Sequence, residues 1–151
     1  MRRAASIPVP ALVCLLGALL PGCAKKTDPV RETIDAVVKA ANARDTAAVM
    51  ARVAPDFEAA DGTARLDLEV RLNQYFAAYE ILNVSISDVT IERGGGAALV
   101  RFRARMSGQP RAVGGLSGLL PSEAQYDFEV RLVNDGEAWK IGWAGWKQVE
   151  G

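Results

Sequence analysis

The period of the apolar positions changes along this chain, and the changes mark its elements. From Val30, apolar residues recur at Ile34, Val37, Val38 and Ala41, the spacing of one helix face. Asp28-Pro29, just before them, supplies a capping carboxylate and a proline suited to the first helical position. Asp45 is placed to cap a second, short helix over 46–53, which Pro55 would end. Residues 56–64, DFEAADGTA, read as a polar loop. A third helix is predicted from about 65 to 80, with Leu68, Leu72, Tyr75, Phe76 and Tyr79 as its apolar stripe.

Beyond Glu80 the period becomes two. Strands are predicted over 81–92, 97–106, 123–133 and 138–147, with RGGG at 93–96 and NDGE at 134–137 as turns. Val100, Phe102, Ala104 and Met106 share one face, as do Tyr126, Phe128, Val130 and Leu132, and Trp139, Ile141 and Trp143. In the first strand Leu82, Val84 and Ile86 are out of phase with Val89 and Ile91. One extra residue near Ser87-Asp88 repairs the phase, which is what a bulge does, and a bulge bends a sheet. Helices followed by a meander predict an α+β domain: three N-terminal helices packed on a strongly bent four-stranded antiparallel sheet. The apolar rows are expected to fill the space beneath the helices.

The N-terminus carries a different kind of pattern. Arg2 and Arg3 precede an almost purely apolar run over 7–20, too short to cross a bilayer, and the run ends in Leu20-Pro21-Gly22-Cys23. These four residues resemble the lipobox of bacterial lipoproteins, with proline an uncommon occupant of the variable position. The resemblance implies that residues 1–22 are a signal peptide, that Cys23 is acylated and becomes the first mature residue, and that 23–27 is a short tether to a single domain over 28–151. The competing reading is an ordinary cleaved signal, cut near Ala24. The chain has two cysteines, and the other, Cys14, lies in the discarded run. Ala24 after the cysteine favours the outer membrane, facing the periplasm, in families that sort lipoproteins by that residue. Lys25 and Lys26 would lie against the headgroups. Loss of Arg2 and Arg3 turns a formal charge of zero slightly negative, which gives no reason to expect nucleic acid.

The mature segment resembles the nuclear-transport-factor-2-like superfamily, which has a cone-shaped, cystatin-like α+β fold. The resemblance is carried by ARDTAAVMARVAPDF (43–57), VRFRARM (100–106) and DGEAWKI (135–141). It is narrowest to uncharacterised bacterial lipoproteins of that fold. These motifs concern packing and turns, and the superfamily spans isomerases, cyclases, dehydratases, ligand binders and scaffolds. Its enzymes place an Asp or a His-Asp pair in an apolar cone. The chain has no histidine, and its inward rows hold no acid, only the Tyr126 hydroxyl and the Trp139 and Trp143 indoles. Asp88, at the expected bulge, is the one acid able to point either way. No catalytic residue is therefore assigned. Tyr75, Tyr79, Tyr126, Phe128, Trp139 and Trp143 are the expected pocket lining.

Other chemistries fail on the residues. No zinc site is expected without histidine or a mature thiol. Asp56, Glu58 and Asp61 lack calcium-loop spacing, because Ala60 fills a ligand position and Asp61 the glycine position. Gly115-Leu116-Ser117-Gly118 is no nucleophile elbow, since Leu119 stands where the final glycine belongs. Gly94–Gly96 lacks the lysine and helix of a phosphate loop. No metal or cofactor is expected. Arg101, Arg103 and Arg105 form an outer row that either binds anions or pairs with Asp127 and Glu129 across the strand, and pairing is favoured. The loop 107–122 is long and apolar. Leu116, Leu119 and Leu120 either plug the open end of the cone or meet a partner. The expected function is a membrane-anchored, noncatalytic envelope lipoprotein that binds an envelope protein or a small apolar ligand. The alternative is a cone-type isomerase or dehydratase acting on a small hydrophobic substrate. The superfamily resemblance also leaves room for a homodimer through the sheet.

Overall fold

The computed structural model describes residues 25–111 and 120–150. Three helices, α1 (Pro29–Asn42), α2 (Thr46–Met50) and α3 (Arg65–Ala78), accompany five strands: β1 (Val53–Ala59), β2 (Tyr79–Gly94), β3 (Ala97–Pro110), β4 (Glu123–Asn134) and β5 (Trp139–Val149). The sheet order is β1-β5-β4-β3-β2. The four long strands form an antiparallel meander, and β1 joins β5 in parallel.

The fold class is α+β, but the sheet is five-stranded and mixed rather than four-stranded and antiparallel. The missed strand is VAPDFEA, read as the end of a helix and a loop. Its burial lacks strict alternation, and Pro55 reads as a breaker. Proline is tolerated here because β1 is an edge strand and need not donate to a second neighbour. The short helix accordingly stops at Met50.

Local chemistry fixes the helix starts. The Asp28 carboxylate accepts from the backbone N–H of Val30 at 2.9 Å, and that of Asp45 accepts from Ala48 at 2.9 Å. By contrast, α3 follows Ala64 without a side-chain cap, and Phe76 is its one buried residue. Leu66 and Val70 stand on its outer face, 71% and 48% exposed.

Two bulges curve the sheet and reset its faces. The first lies between Ser87 and Thr90 on β2, with Asp88 in the left-handed region at φ 54°. It brings Val89 and Ile91 onto the core, as the phase break in the sequence requires. The second was not anticipated. Arg131 pairs with Trp143 while Leu132 pairs with Ile141, so Gly142 is the extra residue on β5. Ile141, Ala144 and Trp146 therefore face inward, and Trp143 faces out.

The core divides along the strand axis. At the end holding the β2–β3 and β4–β5 turns, Val30, Val100 and Leu132 are completely buried and Ala98 is 2% exposed. Asp28 pairs with Arg93 there, and the Thr33 hydroxyl donates to the Trp139 carbonyl at 3.3 Å, tying the start of α1 to both turns. At the opposite end Ala40, Val49, Phe76, Tyr79 and Leu82 form a second cluster, joined by Leu120.

Candidate functional site

Between the two clusters the cone is hollow. An apolar cavity of about 210 Å³ lies between α1, α3 and the concave face of the sheet. The helices contribute Ile34, Val37, Leu68, Leu72 and Tyr75, and the sheet contributes Ile86, Phe102, Ala104, Met106, Phe128, Val130 and Trp146. The inward rows thus line a void where the sequence suggested a filled cone. Small residues explain part of it: Ala104 and Ala144 stand in rows otherwise made of large side chains.

Three aromatic residues form one side of the wall, across β3, β4 and β5. Phe102, Phe128 and Trp146 are aligned by strand register. The Phe102 and Phe128 rings stack at 5.2 Å and 8°, and Trp146 tilts onto Phe128 at 6.1 Å. Trp146 is 41% exposed while also lining the cavity, so the wall meets solvent beside it. The reason is topological: β1 ends at Ala59, opposite Ala144, and leaves the last residues of β5 without a neighbour on that side.

Tyr75 supplies the only hydroxyl on the cavity wall among the described residues, beside the indole N–H of Trp146. Its hydroxyl donates to the Met106 sulfur at 3.6 Å, a weak acceptor. Burial first, then the neighbouring Tyr79 hydroxyl, pushes its pKa far above the usual tyrosine value, so the phenol stays neutral. It can donate one hydrogen bond to a ligand but cannot act as a base at ordinary pH.

Of the expected lining, Tyr75 and Phe128 belong to the cavity, and four residues do not. Tyr79 is 1% exposed and packed solid, with its hydroxyl donating to the Pro121 carbonyl at 2.8 Å. Tyr126 leans on Phe128 from outside the cavity lining. Trp139 packs against the filled core at the turn end. Trp143 lies on the outer face beneath the Arg131 guanidinium, 4.7 Å from its ring centre. Trp146 takes the place expected of Trp143. Gly142, a glycine inside a strand, was the available signal for the bulge that exchanges them.

Asp88 lines outer grooves beside Arg103 and does not line the cavity. The arginine row pairs across the sheet. Arg101 reaches Glu129 and Glu92, each at 2.8 Å, Arg103 reaches Asp127 at 2.8 Å, and Arg105 reaches Glu123 at 3.5 Å. Leu120 packs against the Tyr79 cluster. Cys23, Leu116 and Leu119 lie outside the described residues. No group of three His, Cys, Asp or Glu side chains suited to a metal occurs among the described residues.

No family model and no curated protein matches the chain. Solved structures do resemble it. A protein of the NTF2-like family from Streptomyces avermitilis, provisionally named a dehydratase, superposes with a TM-score of 0.69 at 14% identity, covering 82% of this chain and 96% of that one. A Nostoc punctiforme protein described as having a cystatin-like fold gives 0.63 at 8% identity, covering 82% and 90%. Bd1075 from Bdellovibrio bacteriovorus gives 0.66 at 14% identity over 80% of this chain, which spans 40% of that protein. At such identities the likeness concerns architecture alone: the chain has the cone-shaped α+β fold of NTF2-like and cystatin-like proteins.

Proposed function

We propose that this chain is a lipid-anchored envelope protein whose cone is a noncatalytic binding module for a small, neutral, apolar ligand. The observation that carries the binding half is the cavity of about 210 Å³, walled by apolar side chains with one neutral hydroxyl. Apolar cavities of roughly 150 Å³ stay dry and take up benzene, so this one suits a benzene-sized or slightly larger molecule. The anchoring half rests on Leu20-Pro21-Gly22-Cys23 and the apolar run before it.

The alternative, an isomerase or dehydratase, needs a group able to take a proton from the substrate. Among the described residues no carboxylate lines the cavity, and the chain has no histidine. The dehydratase name of one structural neighbour favours this alternative only as a likeness of fold.

Benzene tests the binding half. A ligand present at one hundred times its dissociation constant stabilises the folded state by about 2.7 kcal/mol. Wild-type protein should melt higher in benzene, and Ala104→Leu, which fills the cavity, should lose the shift while remaining folded. No shift in wild type would refute the binding half. Cys23→Ser tests the anchor: the variant should lose its acyl mass and leave the membrane fraction. Wild-type protein cut after Ala24 and soluble in the periplasm would refute the anchoring half.

A further inference from the structure

We infer that the packed, turn-bearing end of the cone faces the bilayer, and that the cavity opens beside Trp146 toward the aqueous compartment. This orientation rests on the proposed acylation of Cys23.

Chain length and the point of attachment set this orientation. Five residues, Ala24 to Asp28, separate the acylated cysteine from the first helical residue, Pro29. At no more than about 3.6 Å per residue they reach about 18 Å. The tether leaves the domain at a fixed place. Asp28 caps α1 and is paired with Arg93 at the end of β2. Thr33, one turn into α1, donates to the Trp139 carbonyl at the start of β5. The turns 94–97 and 134–139 therefore lie beside Asp28, where the tether leaves the domain.

The cavity lies farther along the strands. Ala98 belongs to the packed end, and Phe102, in register with Trp146 through Phe128, is four residues on. At about 3.3 Å per residue this row is roughly 13 Å beyond Ala98, and the end of β3 at Pro110 is roughly 40 Å beyond it along the strand. The tether is less than half as long as the span to Pro110, so it keeps the turn end nearer the headgroups than the far end of β3.

Charge plays a smaller part. Lys25 and Lys26 are exposed beside the lipid, but Asp135 and Glu137 on the β4–β5 turn oppose them. Tether length therefore decides the orientation more than attraction to anionic lipid does. A ligand would then enter the cavity from water, or from a soluble partner, rather than by lateral transfer from the acyl layer.

The test uses the full acylated chain. If Cys23 is acylated and Cys14 removed with the signal peptide, the mature protein has no free thiol, so one introduced cysteine can be labelled uniquely. Glu137→Cys places a bimane fluorophore on the β4–β5 turn, and Gln109→Cys places one at the far end of β3, both at exposed positions. Each labelled protein is reconstituted into phosphatidylethanolamine–phosphatidylglycerol vesicles containing nitroxide-headgroup lipid. The label at 137 should be quenched several-fold more than the label at 109. Gln148→Cys, a second exposed position toward the far end, should behave like 109 and guards against a folding defect in any one variant. Equal or reversed quenching on protein whose acyl mass is confirmed overturns the orientation alone. Absence of acyl mass on Cys23 overturns the anchoring reading, and the orientation with it.

Discussion

The turn end of the cone and its middle use the same kinds of residue to opposite effect. At the turn end, Val30, Ala98, Val100 and Leu132 are 0–2% exposed and leave no room. Toward the other end, rows from the same strands surround a void of about 210 Å³. The difference is one of side-chain volume and closure. The packed end is closed by the start of α1, pinned through Asp28 and Thr33. The hollow stretch is covered by α3, which lacks a side-chain cap and has one buried residue, Phe76. The fully buried side chains are thus gathered where α1 begins, and the void lies where packing is thinner.

Truncation should separate the two regions most sharply. Leu132→Ala should cost about 2–5 kcal/mol, the range for a fully buried leucine whose site cannot collapse. Leu72→Ala, on the cavity wall of α3, should cost well under half as much, because Leu72 already has empty space on one side. Urea melts of both variants read the contrast, and equal losses would mean that the cavity is filled in solution.

Enlargement should invert the order. Ala98→Leu inserts three heavy atoms into a closed site and should cost about 1–3 kcal/mol. Ala104→Leu inserts the same atoms into the void and should be neutral or stabilise by about 0.5–2 kcal/mol, as cavity filling does. If Ala104→Leu destabilises as much as Ala98→Leu, the void is too small to hold a ligand.

The end beyond the void is nevertheless built on a tight frame. A Cβ at Gly108 would lie 2.5 Å from the Ile81 carbonyl oxygen and 2.9 Å from the Tyr79 ring. The carbonyl belongs to the adjacent strand and cannot turn aside. Gly108→Ala should therefore cost about 1–3 kcal/mol by overpacking. A neutral result would show that the far ends of β2 and β3 are separated in solution.

The sequence made the filled end legible and left the hollow stretch obscure. The helical spacing Val30-Ile34-Val37, the capping Asp28 and the NDGE turn each act over a few residues, so local pattern reveals them. The β2 bulge was legible for the same reason, since it leaves a phase break between Ile86 and Val89. β1 was hidden because its pairing partner lies about ninety residues away and its own pattern includes Pro55. The Gly142 bulge was hidden because alternation over Trp139, Ile141 and Trp143 looks unbroken. That one residue decides whether Trp143 or Trp146 reaches the cavity. The void itself has no local signature, because it arises from alanines on separate strands facing a loosely held helix.

Acid should weaken both regions, by the smallest of these effects. At the packed end the carboxylate of Asp28 is held below its ordinary range, chiefly by Arg93 and against a desolvation cost. Beside α3, Asp61 falls to about 2, first through the Thr63 hydroxyl and backbone N–H and then through Arg71. A carboxylate whose pKa is lower in the folded state binds protons more weakly there than in the unfolded chain. Its contribution is complete above the unfolded value of about 3.9 and is lost as pH falls through the folded value. Stability should therefore decline from about pH 4 toward pH 2. Asp61→Asn should reduce the difference between urea midpoints measured at pH 6 and pH 3, and Asp28→Asn should do so separately. Benzene binding should also weaken between pH 4 and pH 2. Such weakening should disappear in Asp61→Asn, whose turn leads into the cavity-covering helix, and persist in Asp28→Asn, whose pair lies at the packed end. The reverse assignment would mean that α1, not α3, is the wall that yields first.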